Sequence, residues 1–216
     1  MRDLNITEHQ WTPKEKQANA AFYDALRGMW NQMVPWYKLA EPRSEAGAQQ
    51  FRDRMKYGGG GWTAKTRLDD IAVNLPVPSS SGARDLYLRV FRPGTPEASR
   101  GVYLHFHGGG WTVGSADGED EILYRIACKT GYTVASMEYR MGPKYKYPVP
   151  IEDCLNAALF LLDKKNEATY GPLKVIGGES AGAHLSMVTA FGLRALGYDL
   201  RMQLDSLVFN YGCFGK

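Results

Sequence analysis

Between residues 101 and 212 the chain repeats one pattern, a short run apolar on both faces followed by a longer helical segment. "GVYLHFH" (101–107) precedes "GEDEILYRIACKTG" (118–131), and "YTVASMEYR" (132–140) precedes "VPIEDCLNAALFLLDKK" (149–165). "LKVIGG" (173–178) precedes "SAGAHLSMVTAFGLRALG" (180–197), and "LDSLVFNYG" (204–212) follows. Strands apolar on both faces need cover on both sides, and strands joined by helices run parallel. The series predicts an α/β fold with a mostly parallel sheet, right-handed crossovers and helices on both faces. Upstream, "IAVNLPVP" (71–78) and "DLYLRVFRP" (85–93) predict two strands joined by the turn "SSSGAR". In the second, Leu86, Leu88 and Val90 alternate with Tyr87, Arg89 and Phe91, which predicts a half-buried antiparallel strand.

The first 62 residues follow a different pattern. Phe22, Leu26, Trp30 and Met33 form one apolar stripe in a helix predicted over 13–40, opened by Pro13 and broken or bent at Pro35. "RSEAGAQQFRDRMKYGGGGW" then predicts a shorter polar helix and a connector at Gly58 to Gly61. No strand precedes these glycines and no Gly-Lys-Ser/Thr follows, so they do not read as a phosphate cradle. The expected division is a helical cap region over 1–62 and the N-terminal portion of the α/β core over 63–216. Net charge is +3, from 26 basic and 23 acidic residues spread along the chain, which gives no face for nucleic acid. Three cysteines make no disulfide framework and fit a reducing compartment, with Cys128 and Cys154 expected to be buried. No apolar leader and no run of 18 uncharged apolar residues occurs, so a soluble, cytoplasmic protein without a membrane span is expected.

Two stretches carry chemistry. Ser180 stands in "GESAG" where a predicted strand hands over to a helix, the position of an exposed nucleophile. Gly178 and Gly182 let strand and helix backbones approach closely, and the Ala181 N–H opens the helix, where it can donate to an oxyanion. "HGGGW" (107–111) follows another predicted strand, and Gly108, Gly109 and Gly110 free the backbone to turn N–H groups toward a ligand oxygen. Both loops fall at the carboxyl ends of parallel strands, where open α/β sheets bind ligands.

HGGGW followed about seventy residues later by G-E-S-A-G-x-H-L resembles the hormone-sensitive-lipase-like branch of the α/β-hydrolases. "EYRMGPKYKYPVPIEDC" (138–154) is similar to that branch's D-Y-R-L-A-P-E-x-x-x-P-A-x-x-x-D stretch. Tyr139, Arg140, Pro143, Pro148 and Asp153 fit it, while Glu138, Gly142 and Lys144 depart from it. The similarity covers roughly residues 70–212, and the N-terminal helices resemble the branch's cap. The resemblance implies an α/β-hydrolase fold and a carboxylesterase or lipase acting on a small-molecule ester, without cofactor or metal. It implies Ser180 as nucleophile, an oxyanion hole drawn from Gly108, Gly109, Gly110 and Ala181, and a structural His107 orienting the loop. Trp11, Phe22, Tyr23, Trp30, Trp36 and Tyr37 line an apolar site in the cap or pack its helices. Trp111 sits near the site or packs. The branch often forms homodimers.

The resemblance also exposes a gap. In this branch an acid and then a histidine follow the nucleophile, on strands that this chain does not contain, so for this fold it ends early. Only Asp199 and Asp205 are acidic after Ser180, and of His9, His105, His107 and His184 only the last follows it. His184 lies one helical turn on and reads as packing. His105 and His107 share a strand face but find no third metal ligand, while Glu152 and Asp153 read as helix carboxylates with ordinary solvent-facing or buffering roles. Three readings stay open: part of a longer hydrolase completed by its remainder or a second chain, a non-catalytic small-molecule binder, or a serine-only catalyst.

Overall fold

The computed structural model describes residues 12–14, 16–18, 20, 21, 24, 44–59, 63–78, 86–94 and 99–214. Two compact units divide the chain, Met1–Glu41 and Pro42–Lys216, so the expected boundary at residue 62 lies inside the second. In the first unit the described residues from 13 to 24 are helical. The rest of the predicted 13–40 helix, its apolar stripe and the six cap aromatics lie outside the described residues.

In the second unit, α1 (Glu45–Tyr57) starts where Ser44 accepts the Gly47 N–H and stops at Gly58, whose φ of 79° no side chain favours. Arg52 binds this helix to the loops beneath it, donating to the carbonyls of Thr112 at 2.8 Å and Gly142 at 2.5 Å. The strands are β1 (Val73–Pro76), β2 (Tyr87–Phe91), β3 (Val102–Phe106), β4 (Thr133–Glu138), β5 (Leu173–Glu179) and β6 (Ser206–Asn210). They lie in the order β1-β2-β4-β3-β5-β6. β1 pairs antiparallel with β2 and β2 with β4, while β3 with β4, β3 with β5 and β5 with β6 are parallel.

Helix α2 (Asp120–Thr130) covers one face of the sheet, packing Leu123 and Ala127 on Phe91, Tyr103, Val134 and Val175. α3 (Val149–Leu162) and α5 (Ala181–Ala195) cover the other, over Leu88, Leu104, Phe106, Met137 and Ile176. Strand neighbours such as Tyr103 and Leu104 therefore belong to different cores, as a sheet covered on both faces requires.

Three expectations change. The second face of β2 is buried as well, because α2 lies on it. Arg89, 2% exposed, donates to the wholly buried Asp120 through Nε at 3.0 Å and Nη2 at 2.5 Å. The helix predicted over 149–165 breaks at Asp163, whose extended backbone and side chain cap α4 (Lys164–Tyr170) through the Lys165 N–H. Cys128 is exposed, since one residue beyond Ala127 the helix has turned by about 100°; Cys154 is buried.

Candidate active site

Both motifs lie at the carboxyl end of the sheet. β5 ends at Glu179 and α5 begins at Ala181, so Ser180 alone makes the turn between them. Its backbone sits at φ 53°, ψ −116°, a conformation costing a side-chain-bearing residue of order 1–3 kcal/mol and kept only where the surroundings enforce it. They do so here: its N–H donates to the Asn210 carbonyl of β6 at 2.9 Å. Across the turn, a Cβ on either Gly178 or Gly182 would fall against the Phe106 carbonyl. The elbow is thereby pressed onto the end of β3, where the glycine loop begins.

That loop is held at its far end by backbone bonds. Thr112 and Val113 donate to the Gly109 carbonyl at 3.1 and 3.0 Å, and Gly142 donates to the Trp111 carbonyl at 2.8 Å. Gly109 has φ 117° and no room for a Cβ beside the Val113 carbonyl; Gly110, at φ 59°, has open space around it. The Gly108 N–H is already spent, since it donates to Glu179 Oε1. This corrects the expected donor set, from which Gly108 drops out. Gly109, Gly110 and Ala181 remain, the last in the first turn of α5, where helix N–H groups lack intrahelical partners.

The histidines are engaged elsewhere. His107 is buried, its ring stacked on Tyr139 at 4.3 Å, with Nδ1 2.8 Å from the Gly108 carbonyl. A carbonyl only accepts, so Nδ1 carries the proton. Nε2 has no partner among the described residues, and burial pushes the imidazole down to about 4. His105 Nδ1 lies 2.9 Å from Ser136 Oγ and Nε2 lies 2.9 Å from Glu179 Oε2. His184 stands edge-on to Trp111 at 5.3 Å, with its buried Nδ1 unpartnered among the described residues. No hydrogen bond joins Ser180 Oγ to a histidine among the described residues, and His9 lies outside them. No group of three His, Cys, Asp or Glu among the described residues is placed to hold a metal ion.

A cavity of about 480 Å³ opens beside the glycine loop, lined by Gly110, Trp111, Tyr145, Tyr147, Ile151 and His184 among others. Asp153, expected at the surface, is wholly buried. It accepts from the Arg140 backbone N–H and Nε at 2.9 Å each and from Nη2 at 2.6 Å, fixing the segment behind this cavity. Two residues of the site carry no clear signal in the sequence: Glu179, although it stands inside the motif, and His105, whose strand-face spacing suggests a metal ligand alone. Glu179, Gly108 and His105 meet only through the pairing of β3 with β5, which residue spacing does not reveal.

Against known proteins, the family model of the alpha/beta hydrolase fold matches residues 103–210, half of the chain, with both motifs inside. The chain belongs to the α/β-hydrolase family. The chain is 37% identical over 110 residues to the FAD-linked oxidoreductase pytB of Aspergillus terreus, 51% of this chain but 13% of that one. It is 33% identical over 128 residues to an arylesterase of Saccharolobus solfataricus, 59% of this chain and 42% of that one. Among solved structures it superposes on EstE1, a thermophilic carboxylesterase cloned from a metagenomic library, with a TM-score of 0.62 at 25% identity. That match covers 76% of this chain and 55% of that one. The chain thus spans about half the length, or less, of these relatives. Among the described residues no helix is long and apolar enough to cross a membrane.

Proposed function

We propose that this chain carries the nucleophile and oxyanion half of a serine hydrolase of carboxylic esters. The observation that carries the reading is Ser180 at φ 53° on a strand-to-helix turn, pressed by Gly178 and Gly182 onto the strand that feeds the glycine loop. Similarity to an arylesterase and a carboxylesterase supports the substrate class.

Ser180 Oγ attacks the ester carbonyl carbon while its proton passes to a histidine. The carbonyl oxygen becomes an oxyanion held by the N–H groups of Gly109, Gly110 and Ala181. The C–O bond to the alcohol then breaks, the imidazolium protonates the departing oxygen, and water releases the acid from the acyl-serine. The described histidines are engaged elsewhere, so in this reading the histidine and its acid lie outside the described residues. Among the described residues β6 is the last strand on its side of the sheet, with Leu207 and Phe209 exposed. That edge is where further strands would pair.

A second reading, a small-molecule binder on the same fold, draws on the commitment of the described histidines to other partners. Intact-mass measurement after treatment with a fluorophosphonate separates the two. The hydrolase reading expects one slow adduct per chain that disappears in Ser180→Ala; an unmodified Ser180 under forcing reagent would leave the binder.

A further inference from the structure

The side chain next to the nucleophile does something that the reaction scheme above does not use. Glu179 is the last residue of β5, and its carboxylate spans two strands: Oε1 accepts the Gly108 N–H and Oε2 meets His105 Nε2 at 2.9 Å. His105 in turn meets Ser136 Oγ of β4 at 2.9 Å, opposite it in the parallel register. One relay of side chains therefore links β5, β3 and β4 at the carboxyl end of the sheet, and its terminus is the first amide of the glycine loop. Burial pushes the Glu179 carboxyl up, but the His105 hydrogen bond and charge, with the Gly108 N–H, outweigh it and hold the group below the usual glutamate range.

We infer that Glu179 is a positioning residue: it fixes the glycine loop relative to Ser180 so that the Gly109 and Gly110 amides face the oxyanion. This inference rests on the hydrolase reading above. Three successive glycines have more backbone freedom than any other tripeptide, and ordering them costs entropy. The backbone bonds of Thr112, Val113 and Gly142 anchor the loop downstream only. Upstream, His107 Nδ1–H on the Gly108 carbonyl and Tyr139 Oη on the His107 carbonyl hold the loop to β3 and β4, but the bond that references it to the elbow is the one from the Gly108 N–H to the carboxylate one residue from the nucleophile. A displacement of about 1 Å between a nucleophile and its oxyanion donors can cost roughly 100-fold.

Two variants separate positioning from mere filling of space. Glu179→Ala removes the acceptor. Glu179→Gln keeps one, since its amide oxygen accepts from Gly108 while its NH₂ donates to His105 Nε2 once the imidazole carries its proton on Nδ1, toward Ser136 Oγ. Two readouts are taken on the full chain: affinity for butylboronic acid, whose tetrahedral adduct on Ser180 puts an oxygen where the oxyanion forms, and amide hydrogen exchange at Gly108–Gly110. In Glu179→Ala, boronate affinity falls roughly 100-fold and exchange at the three glycines rises about tenfold; Glu179→Gln restores both to within about fivefold of the parent. Unchanged affinity and exchange in Glu179→Ala would overturn the inference, as would a loss that Gln does not restore. If the parent chain binds no boronate, the hydrolase reading fails. Exchange then still decides whether Glu179 anchors the loop.

Discussion

His107 is enclosed behind the glycine loop, with Nδ1–H on the Gly108 carbonyl and Nε2 without a partner among the described residues. Burial lowers its pKa from 6.5 to about 4. The unfolded imidazole takes its proton at the higher value and the folded one at the lower. Stability present above pH 6.5 is therefore lost as the pH falls through 4, by roughly 3 kcal/mol in all. Glu138, at the end of the neighbouring β4, runs the other way. Burial, with the nearby Asp117 charge, raises it from 4.5 to about 7 against the Ala116 N–H that it accepts. Its contribution is full below 4.5 and lost as the pH rises through 7. It lines a polar cavity of about 300 Å³, so solvent weakens its effect. Between pH 4.5 and 6.5 the two slopes oppose each other. Urea unfolding across pH 4–8 tests this directly: Glu138→Gln steepens the loss on the acid side, and His107→Asn flattens it. An acid limb unchanged in His107→Asn would assign it to another group.

At the scale of elements, the close approach of β3, β5 and α5 sets where the site can exist. Gly182→Ala drives a methyl group into the Phe106 carbonyl, with backbone on both sides and no flexible side chain to yield. It should cost about 3 kcal/mol in chemical denaturation. Gly110→Ala meets open space and carries only the penalty of its φ of 59°, about 1 kcal/mol. Equal losses for the two would remove the packing argument. The same contrast marks what the sequence could tell. Strand and helix runs, the parallel order and both glycine motifs were legible, because apolar periodicity and glycine spacing are local signals. Features set by distant partners were not. Arg89 is buried because Asp120, 31 residues on, receives it together with Asp69 and Asn74. Asp153 is buried because Arg140 turns three donors toward it. Glu179 carries its relay because parallel pairing sets β5 beside β3.

At the scale of the whole molecule, the proposed nucleophile and oxyanion donors share one end of one sheet, and no described histidine is hydrogen-bonded to Ser180. The chain has four histidines. His105 is bound to Glu179 and Ser136, His107 is turned to Gly108, and His184 sits against Trp111. A site complete except for a proton acceptor responds to a small base that diffuses in. Free imidazole should therefore raise the rate of fluorophosphonate modification of Ser180 in proportion to its concentration, by at least tenfold, since a positioned general base contributes roughly 10²–10⁴. Following the reaction by intact mass keeps imidazole's own attack on the reagent out of the reading, and Ser180→Ala supplies the blank. A rate independent of imidazole that instead follows one ionisation near 6.5 would mean that the chain holds its own base. His184→Ala and His9→Ala would then identify it. Proportionality to imidazole, with the slope lost in Gly182→Ala but kept in Gly110→Ala, would tie the response to the elbow rather than to surface reactivity.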